Sequence, residues 1–324
     1  MRILYYGVSE DELPFIREWS QKNQIEVTMI EKNLTYETVH LASDYDGICL
    51  FPDKKMKTDE RIYQELAKMG IKHLSIKSTG VDGVNFDWVH KYELVVTNVP
   101  DYSRTSVAHF AVMNILMLLR SIPLFYQKDQ QINRKMIRGR ELKDSVVGIL
   151  GTGKIGTIVA QAIVDLGGQV IAYSQSKNPS LNTLVKYVSF DELLQQSDVL
   201  SLHIPLTEIT NHLLSKDEFE KMKPGACIVN TARGKIIDTK ALIHWAEMGN
   251  CGGLCLDTLE DEEVYFETNW QKNPYYQRLS TIPNVMLTPH IAYHTDLAVK
   301  EIVETTLDNV CQLWKTGTSP HMIK

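Results

Sequence analysis

The stretch Val146-Val147-Gly148-Ile149-Leu150-Gly151-Thr152-Gly153-Lys154-Ile155-Gly156 constrains the fold more than any other part of the chain. An apolar run of strand length leads into Gly-x-Gly-x-x-Gly, and the residues beyond it can begin a helix. A second apolar run, Gln169-Val170-Ile171-Ala172-Tyr173, follows Gly167-Gly168. This order and spacing predict a strand–turn–helix–strand unit of the kind that binds a dinucleotide. Gly151 makes the tight turn, Gly153 lets the backbone approach a pyrophosphate, and Gly156 lets helix and strand pack closely. Thr152, Lys154 and Ile155 complete the loop, and the helix start offers free N–H groups and a positive dipole end to phosphates. One position departs from the pattern. An acidic residue that holds a ribose 2′-OH is expected about 20 residues on. The chain reads Ser174-Gln175-Ser176-Lys177 there.

At 324 residues the chain exceeds the usual size of one core, so two domains are expected. A net charge of −6, with Lys and Arg dispersed, argues against a nucleic-acid surface. The opening residues Met1-Arg2-Ile3-Leu4-Tyr5-Tyr6-Gly7 lack the long apolar core of a signal peptide. The most apolar segment, residues 107–119, is broken by His109 and Asn114 and is too short to span a bilayer, so no membrane partner is expected. Five cysteines, Cys49, Cys227, Cys251, Cys255 and Cys311, read as buried free thiols in a reducing compartment, which points to the cytoplasm. Cys251 and Cys255 flank Gly252-Gly253-Leu254, but no second pair or His cluster joins them, and no metal site is expected.

Residues 1–100 alternate short strands (2–6, 26–30, 47–50, 73–77, 94–97) with helices (10–23, 59–69), a rhythm that predicts a parallel sheet covered on both faces. Ser78-Thr79-Gly80-Val81-Asp82-Gly83 follows a strand, the place where ligands bind in open α/β sheets; the alternative is a plain turn. Pro100 interrupts the rhythm and Ser103 suits an N-cap before a long apolar helix over residues 104–120. That helix is apolar on more than one face, which predicts burial in the protein or in a dimer contact. A polar, helix-like stretch covers residues 127–143. Beyond Lys177 the alternation resumes, with strands at 199–205, 226–230, 253–256 and 285–287, helices at 191–197, 217–222 and 239–248, and a last helix over 295–314.

Arg233, Glu262 and His290 each come shortly after one of these later strands. Strand ends of a doubly wound sheet converge on one crevice. An Arg there can hold a carboxylate bidentately, and a His can move a proton near neutral pH while a carboxylate orients it and stabilises its charged form. Singly, each has a plainer reading: a surface charge, a solvated acidic run at Glu260-Asp261-Glu262-Glu263, a structural turn residue after Pro289. Jointly, beside a dinucleotide unit, they are the parts needed for hydride exchange with a 2-oxo or 2-hydroxy acid.

With these residues in view, the sequence resembles the D-isomer-specific 2-hydroxyacid dehydrogenases, and within them the D-lactate dehydrogenase branch, over nearly its whole length. The motifs are Gly151-Thr-Gly-Lys-Ile-Gly156, Ser201-Leu-His-Ile-Pro205, Val229-Asn-Thr-Ala-Arg-Gly234, Leu256-Asp-Thr-Leu-Glu-Asp-Glu262 and Thr288-Pro-His-Ile-Ala-Tyr293. The resemblance implies a catalytic triad of Arg233, Glu262 and His290, with Glu262 rather than Glu260 matching the family position. It implies substrate contacts from Thr79, Gly80, Tyr102 (in Asn98-Val-Pro-Asp-Tyr-Ser103) and Tyr293. Around the cofactor it implies His203, Pro205, Thr231, Ala232 and Asp257. It also implies an α/β fold of two doubly wound parallel-sheet domains, a nucleotide-binding (Rossmann) domain over residues 102–296 inserted into a flavodoxin-like substrate domain over residues 1–101 and 297–324. A homodimer built on the helix after Ser103 is expected as well.

Two departures stand out. Ser174 replaces the Asp of NAD-preferring members, which removes repulsion against a 2′-phosphate; Ser174 and Ser176 can hydrogen-bond that phosphate and Lys177 can neutralise it. The Ala-Tyr-Ser-x-Ser run is similar to that of the NADPH-favouring vancomycin-resistance D-lactate dehydrogenases, and NADP(H) preference or dual NAD(H)/NADP(H) use is expected. His109 stands where many relatives carry Glu, a change for which the sequence offers no mechanism. The expected reaction is reduction of a small 2-oxo acid, with pyruvate first, to its D-2-hydroxy acid. A D-2-hydroxyisocaproate-type enzyme for larger 2-oxo acids is the first alternative, and a cofactor-sensing corepressor the second.

Overall fold

Most of the apolar runs become strands buried on both sides, as the strands of parallel sheets under two helical layers must be. The computed structural model describes residues 1–52, 54–126, 138–265 and 269–323. The chain divides into two compact units, Met1–Ser103 with His294–Lys324, and Arg104–Tyr293. The first unit opens with β1 (Arg2–Tyr6), α1 (Leu13–Asn23), β2 (Glu26–Ile30), β3 (Gly47–Leu50), α2 (Lys54–Thr58), α3 (Glu60–Lys68), β4 (His73–Ile76), α4 (Phe86–Lys91) and β5 (Val95–Thr97). The second unit runs α5 (Arg104–Leu119), α6 (Ile122–Tyr126), β6 (Val146–Leu150), α7 (Lys154–Asp165), β7 (Gln169–Tyr173), β8 (Lys186–Tyr187), α8 (Phe190–Gln196) and β9 (Val199–Leu202). It continues with α9 (Lys216–Lys221), β10 (Ala226–Asn230), α10 (Thr239–Glu247), β11 (Cys251–Leu256), α11 (Pro274–Leu279) and β12 (Val285–Leu287). The chain then returns to the first unit as α12 (Asp296–Thr316) and β13 (Met322–Ile323).

Both sheets are doubly wound. In the first unit the order is β2-β1-β3-β4-β5, the flavodoxin-like order, with β13 added antiparallel to β5 at the edge. In the second unit it is β8-β7-β6-β9-β10-β11-β12, all parallel, the Rossmann order extended by one strand. The antiparallel β13 was not expected; two paired residues are too few to leave a periodic signal. Of the helix-like stretch at 127–143, residues 127–137 lie outside the described residues, and residues 138–141 form a loop ahead of the 3₁₀ turn Leu142–Asp144. Ser103 sits at φ +55° rather than in the extended conformation of a capping residue.

Packing explains the helix faces. In the first unit α12 lays Val303, Leu307 and Val310 on Ile3, Tyr5, Ile16, Trp19 and Cys49. Gly47 is required there, because a Cβ would lie 2.5 Å from Val310 Cγ1. In the second unit α5 buries Ala108, Ala111, Ile115 and Leu118 against the sheet and α7. The same helix exposes His109 and Met113, and α6 exposes Phe125 and Tyr126. The five cysteines are free thiols, and no helix among the described residues is long and apolar enough to cross a membrane.

Candidate active site

In the second unit the candidate residues lie at the carboxyl edge of its sheet. Directly after β6, Gly151 turns the chain at φ +96°, and a Cβ there would meet His203 O at 2.5 Å. A Cβ on Gly156 would lie 2.0 Å from Gly151 O, which is why the helix can sit so close to the turn. At Gly153 a Cβ would meet nothing, so the space above the loop is open. Gly153 is also the N-cap of the 12-residue α7 and supplies no side-chain cap, leaving the first N–H groups of the helix for an anion. These are the features a dinucleotide pyrophosphate needs, and the residues present fit it. The buried Thr231 Oγ1 and Thr258 Oγ1, beyond β10 and β11, have no hydrogen-bond partner among the described residues, two further polar atoms suited to a bound group.

Around this loop, Thr152 is buried and accepts a bond at its Oγ1 from Tyr187 OH at 3.0 Å. Ser174 follows β7 and is half-buried, whereas Ser176 and Lys177 are exposed. Lys177 Nζ lies 5.6 Å from the centre of the Tyr187 ring, within cation–π range. After β9, His203 Nε2 pairs with Ser201 Oγ at 2.8 Å. Burial pushes its pKa down to about 4, so the ring is neutral at pH 7. Pro205 lies exposed two residues on.

After β10, Asn230 shapes the turn that holds Arg233: its Oδ1 accepts from Ala232 N at 2.9 Å and its Nδ2 donates to Arg233 O at 2.9 Å. Arg233 is half-buried. The next residue, Gly234, abuts the loop after β11, where a Cβ would fall 2.1 Å from Leu259 C. The Arg233 turn and the loop carrying Glu262 are therefore packed backbone to backbone. Glu262 is buried, its Oε2 taking Leu259 N at 3.0 Å and its Oε1 lying 2.9 Å from His290 Nδ1.

His290 stands in a turn built by Asp257. That carboxylate is fully buried; its Oδ1 accepts from Thr288 Oγ1 at 2.6 Å and from Ile291 N at 2.9 Å, and its Oδ2 from Ala292 N at 2.9 Å. The His290 ring is part-exposed, with Tyr293 edge-on at 6.2 Å between centroids. The structure thus brings His290, Glu262 and Tyr293 together. It shows Asp257 as a brace of the turn, a role that sequence spacing does not reveal because the donors are 31 to 35 residues away. Glu260, the other carboxylate considered, points elsewhere: it holds Thr239 N at 2.8 Å and His212 Nε2 at 2.8 Å.

In the first unit, residues 78–81 follow β4. Ser78 O accepts Val99 N, Thr79 O accepts Asn98 Nδ2, and Gly80 O accepts Ser78 Oγ, so all three carbonyls are taken. The N–H groups of Thr79, Gly80 and Val81 make no hydrogen bond among the described residues. Tyr102 is half-buried. Phe51, which the sequence reading passed over, follows β3 and is 47 % exposed, a large aromatic at the same carboxyl edge.

Comparison with known proteins agrees with this geometry. Residues 112–292 match the model of the D-isomer specific 2-hydroxyacid dehydrogenase family, NAD binding domain. A D-lactate/D-glycerate dehydrogenase of Pediococcus acidilactici is 35 % identical over 331 residues, covering 100 % of this chain and 99 % of the relative. A D-2-hydroxyacid dehydrogenase (NAD(+)) of Clostridioides difficile is 35 % identical over 332 residues, with 100 % of both chains covered. Among solved structures, a D-isomer specific 2-hydroxyacid dehydrogenase from Lactobacillus delbrueckii ssp. bulgaricus in its NAD complexed form superposes with a TM-score of 0.84 at 33 % identity, over 100 % of both chains. By matched model, full-length identity and shared fold, the chain belongs to the D-isomer-specific 2-hydroxyacid dehydrogenases, in the D-lactate dehydrogenase branch.

Proposed function

We propose that this oxidoreductase reduces pyruvate to D-lactate, with NADPH preferred or used alongside NADH. The observation that carries the chemistry is the 2.9 Å contact between His290 Nδ1 and Glu262 Oε1 at the mouth of the second unit's sheet. The bound nicotinamide supplies hydride at the carbonyl carbon of the substrate. His290, held at Nδ1 by Glu262, gives a proton from Nε2 to the carbonyl oxygen, and Glu262 stabilises its charged form. Arg233 holds the substrate carboxylate as a fork of donors. In the first unit, Thr79 and Gly80 offer backbone N–H groups to the same kind of anion, and Tyr102 contacts the substrate. Tyr293 bounds its size.

For the cofactor, residues 151–156 take the pyrophosphate, with Thr231, Ala232, His203 and Pro205 around the nicotinamide half. Asp257 has no free carboxylate oxygen and acts there through the turn it braces. Ser174, Ser176 and Lys177 take the 2′-phosphate, supported by the seat of Lys177 over Tyr187. Buried free thiols such as Cys49 and Cys255 support a reducing cytoplasmic setting, and the exposed Met113, Phe125 and Tyr126 support a homodimer formed at α5 and α6. Light scattering on the eluted protein measures that mass directly.

The deciding experiment is initial-rate kinetics with pyruvate, 2-oxoisocaproate and phenylpyruvate, each with NADPH and NADH. Highest kcat/KM for pyruvate with NADPH is expected. A clear preference for the larger acids makes the chain a D-2-hydroxyisocaproate-type enzyme, and a strong preference for NADH overturns the cofactor assignment. Negligible turnover with every acid favours a corepressor-like role.

A further inference from the structure

The first unit contains a buried ion pair that the proposed reaction does not use. Lys77 and Glu12 have side chains only 6 % and 10 % exposed. Lys77 Nζ lies 3.2 Å from both Glu12 oxygens, donates to Gly7 O at 2.8 Å, and stands 4.4 Å from the centre of the Tyr5 ring. Glu12 in turn accepts from Tyr5 OH at 2.6 Å, from Ser9 N at 2.9 Å and from Ser9 Oγ at 3.0 Å. Every polar atom of the pair is engaged.

We propose that Lys77, clamped by Glu12, is a positioning residue for 2-oxo-acid binding, bracing the sheet edge so that the N–H groups of residues 79–81 stay presented to the substrate carboxylate. The proposal rests on the reading of Thr79 and Gly80 as carboxylate donors. Its basis is where the pair lies. Lys77 comes one residue before the 78–81 loop, and its own N–H continues the sheet by bonding Leu50 O at 2.9 Å. Its side chain then reaches Gly7, at the carboxyl end of β1. In this sheet β3 lies between β4 and β1, so Lys77 ties two strands that backbone hydrogen bonds cannot join. Gly7, at φ +58°, is where the chain turns away from β1. The loop itself is held from the other side by Val99 and Asn98. With both sides fixed, its free N–H groups point from a rigid frame, as pre-formed anion sites require.

Stability alone is a poor reason to keep such a pair. Removing two charges from water is costly, and apolar replacements of buried pairs are often neutral or stabilising. That asymmetry supplies the test. In the double variant Lys77→Met/Glu12→Gln no charge is left unpaired, and Gln retains an acceptor for Tyr5. Expected is a rise of about tenfold in KM for pyruvate and in Kd for oxamate, an unreactive analogue, since small displacements of binding groups cost up to about a hundredfold. The expected kcat stays within about twofold and KM for NADPH is unchanged, the signature of lost ground-state binding. Lys77→Arg, which keeps charge and reach, is expected to restore the wild-type KM. An unchanged KM and Kd in the folded double variant, with or without a lower Tm, overturns the proposal. Lys77→Gln/Glu12→Gln, which likewise leaves no charge unpaired, gives the same readout if the first double variant is insoluble. A wild-type protein that turns over no 2-oxo acid overturns the functional reading, and this proposal with it.

Discussion

At His290 the backbone adopts φ +55°, a conformation that costs a non-glycine residue about 1–2 kcal/mol. Asp257 offsets this by collecting three donors from residues 288–292, while Glu262 fixes the ring from the side. Backbone and side chain of one histidine are thus held by two separate carboxylates. His290→Ala is expected to lower kcat by about 10²–10⁴, the usual worth of a placed proton donor, with cofactor affinity retained. Arg233→Ala is expected to damage kcat and KM together; stopped-flow and steady-state kinetics read both. Ser174→Asp places a carboxylate at the proposed 2′-phosphate position. Like-charge contact costs several kcal/mol, so NADPH kcat/KM is expected to fall more than about tenfold while NADH is spared. Equal losses for both cofactors would count against the phosphate site.

At the scale of elements, the glycine loop separates fold from function. Gly153 lies at φ −71° with open space at its Cβ direction, so Gly153→Ala is expected to leave Tm nearly unchanged. Its new methyl enters the space proposed for the pyrophosphate, so KM for the cofactor is expected to rise. Gly156→Ala meets Gly151 O at 2.0 Å, backbone against backbone, and is expected to lower Tm as overpacking does, by about 1–3 kcal/mol of stability. Thermal melts with and without NADPH distinguish the two. Gly234 works similarly between two loops: it locks the Arg233 turn to Leu259, and so to Glu262, whose Oε2 is bonded to Leu259 N.

Over the whole molecule, acid stability is set in part by histidines that the fold keeps neutral. His73 is 4 % exposed on β4, with Nε2 paired to Thr97 Oγ1 at 2.8 Å and Nδ1 without a partner among the described residues. Burial lowers its pKa to about 4. The unfolded chain takes up this proton below about pH 6.5 and the folded chain only near pH 4, so stability is full above pH 6.5 and is lost as pH falls through that window. The shift corresponds to about 3 kcal/mol at most. His73→Gln is expected to flatten the fall of Tm between about pH 6.5 and 4, though only in part, because His203 is lowered by burial in the same direction. An unaltered pH slope would show that His73 carries a proton in the fold.

What the sequence determined by itself was local. Gly-x-Gly-x-x-Gly after an apolar run, the alternation of strands and helices, and Arg233, Glu262 and His290 after successive strands are all short-range patterns, because turn geometry and strand burial depend on neighbouring residues. The short edge strand β13 escaped, having too few residues for periodicity. The backbone at Ser103 was misread, an extended capping conformation being expected where φ is +55°, since conformation at a junction follows the packing on both sides. Spacing left Glu260 and Glu262 open and the motif resemblance chose Glu262; the tertiary structure shows why, since the two differ by two positions yet bond to residues 21 to 48 positions away in different directions. It alone showed Asp257 as the brace of the His290 turn and Lys77 as the tie between β4 and β1. Such partners are far apart in the chain and meet only once the parallel strands have brought their carboxyl ends to one edge.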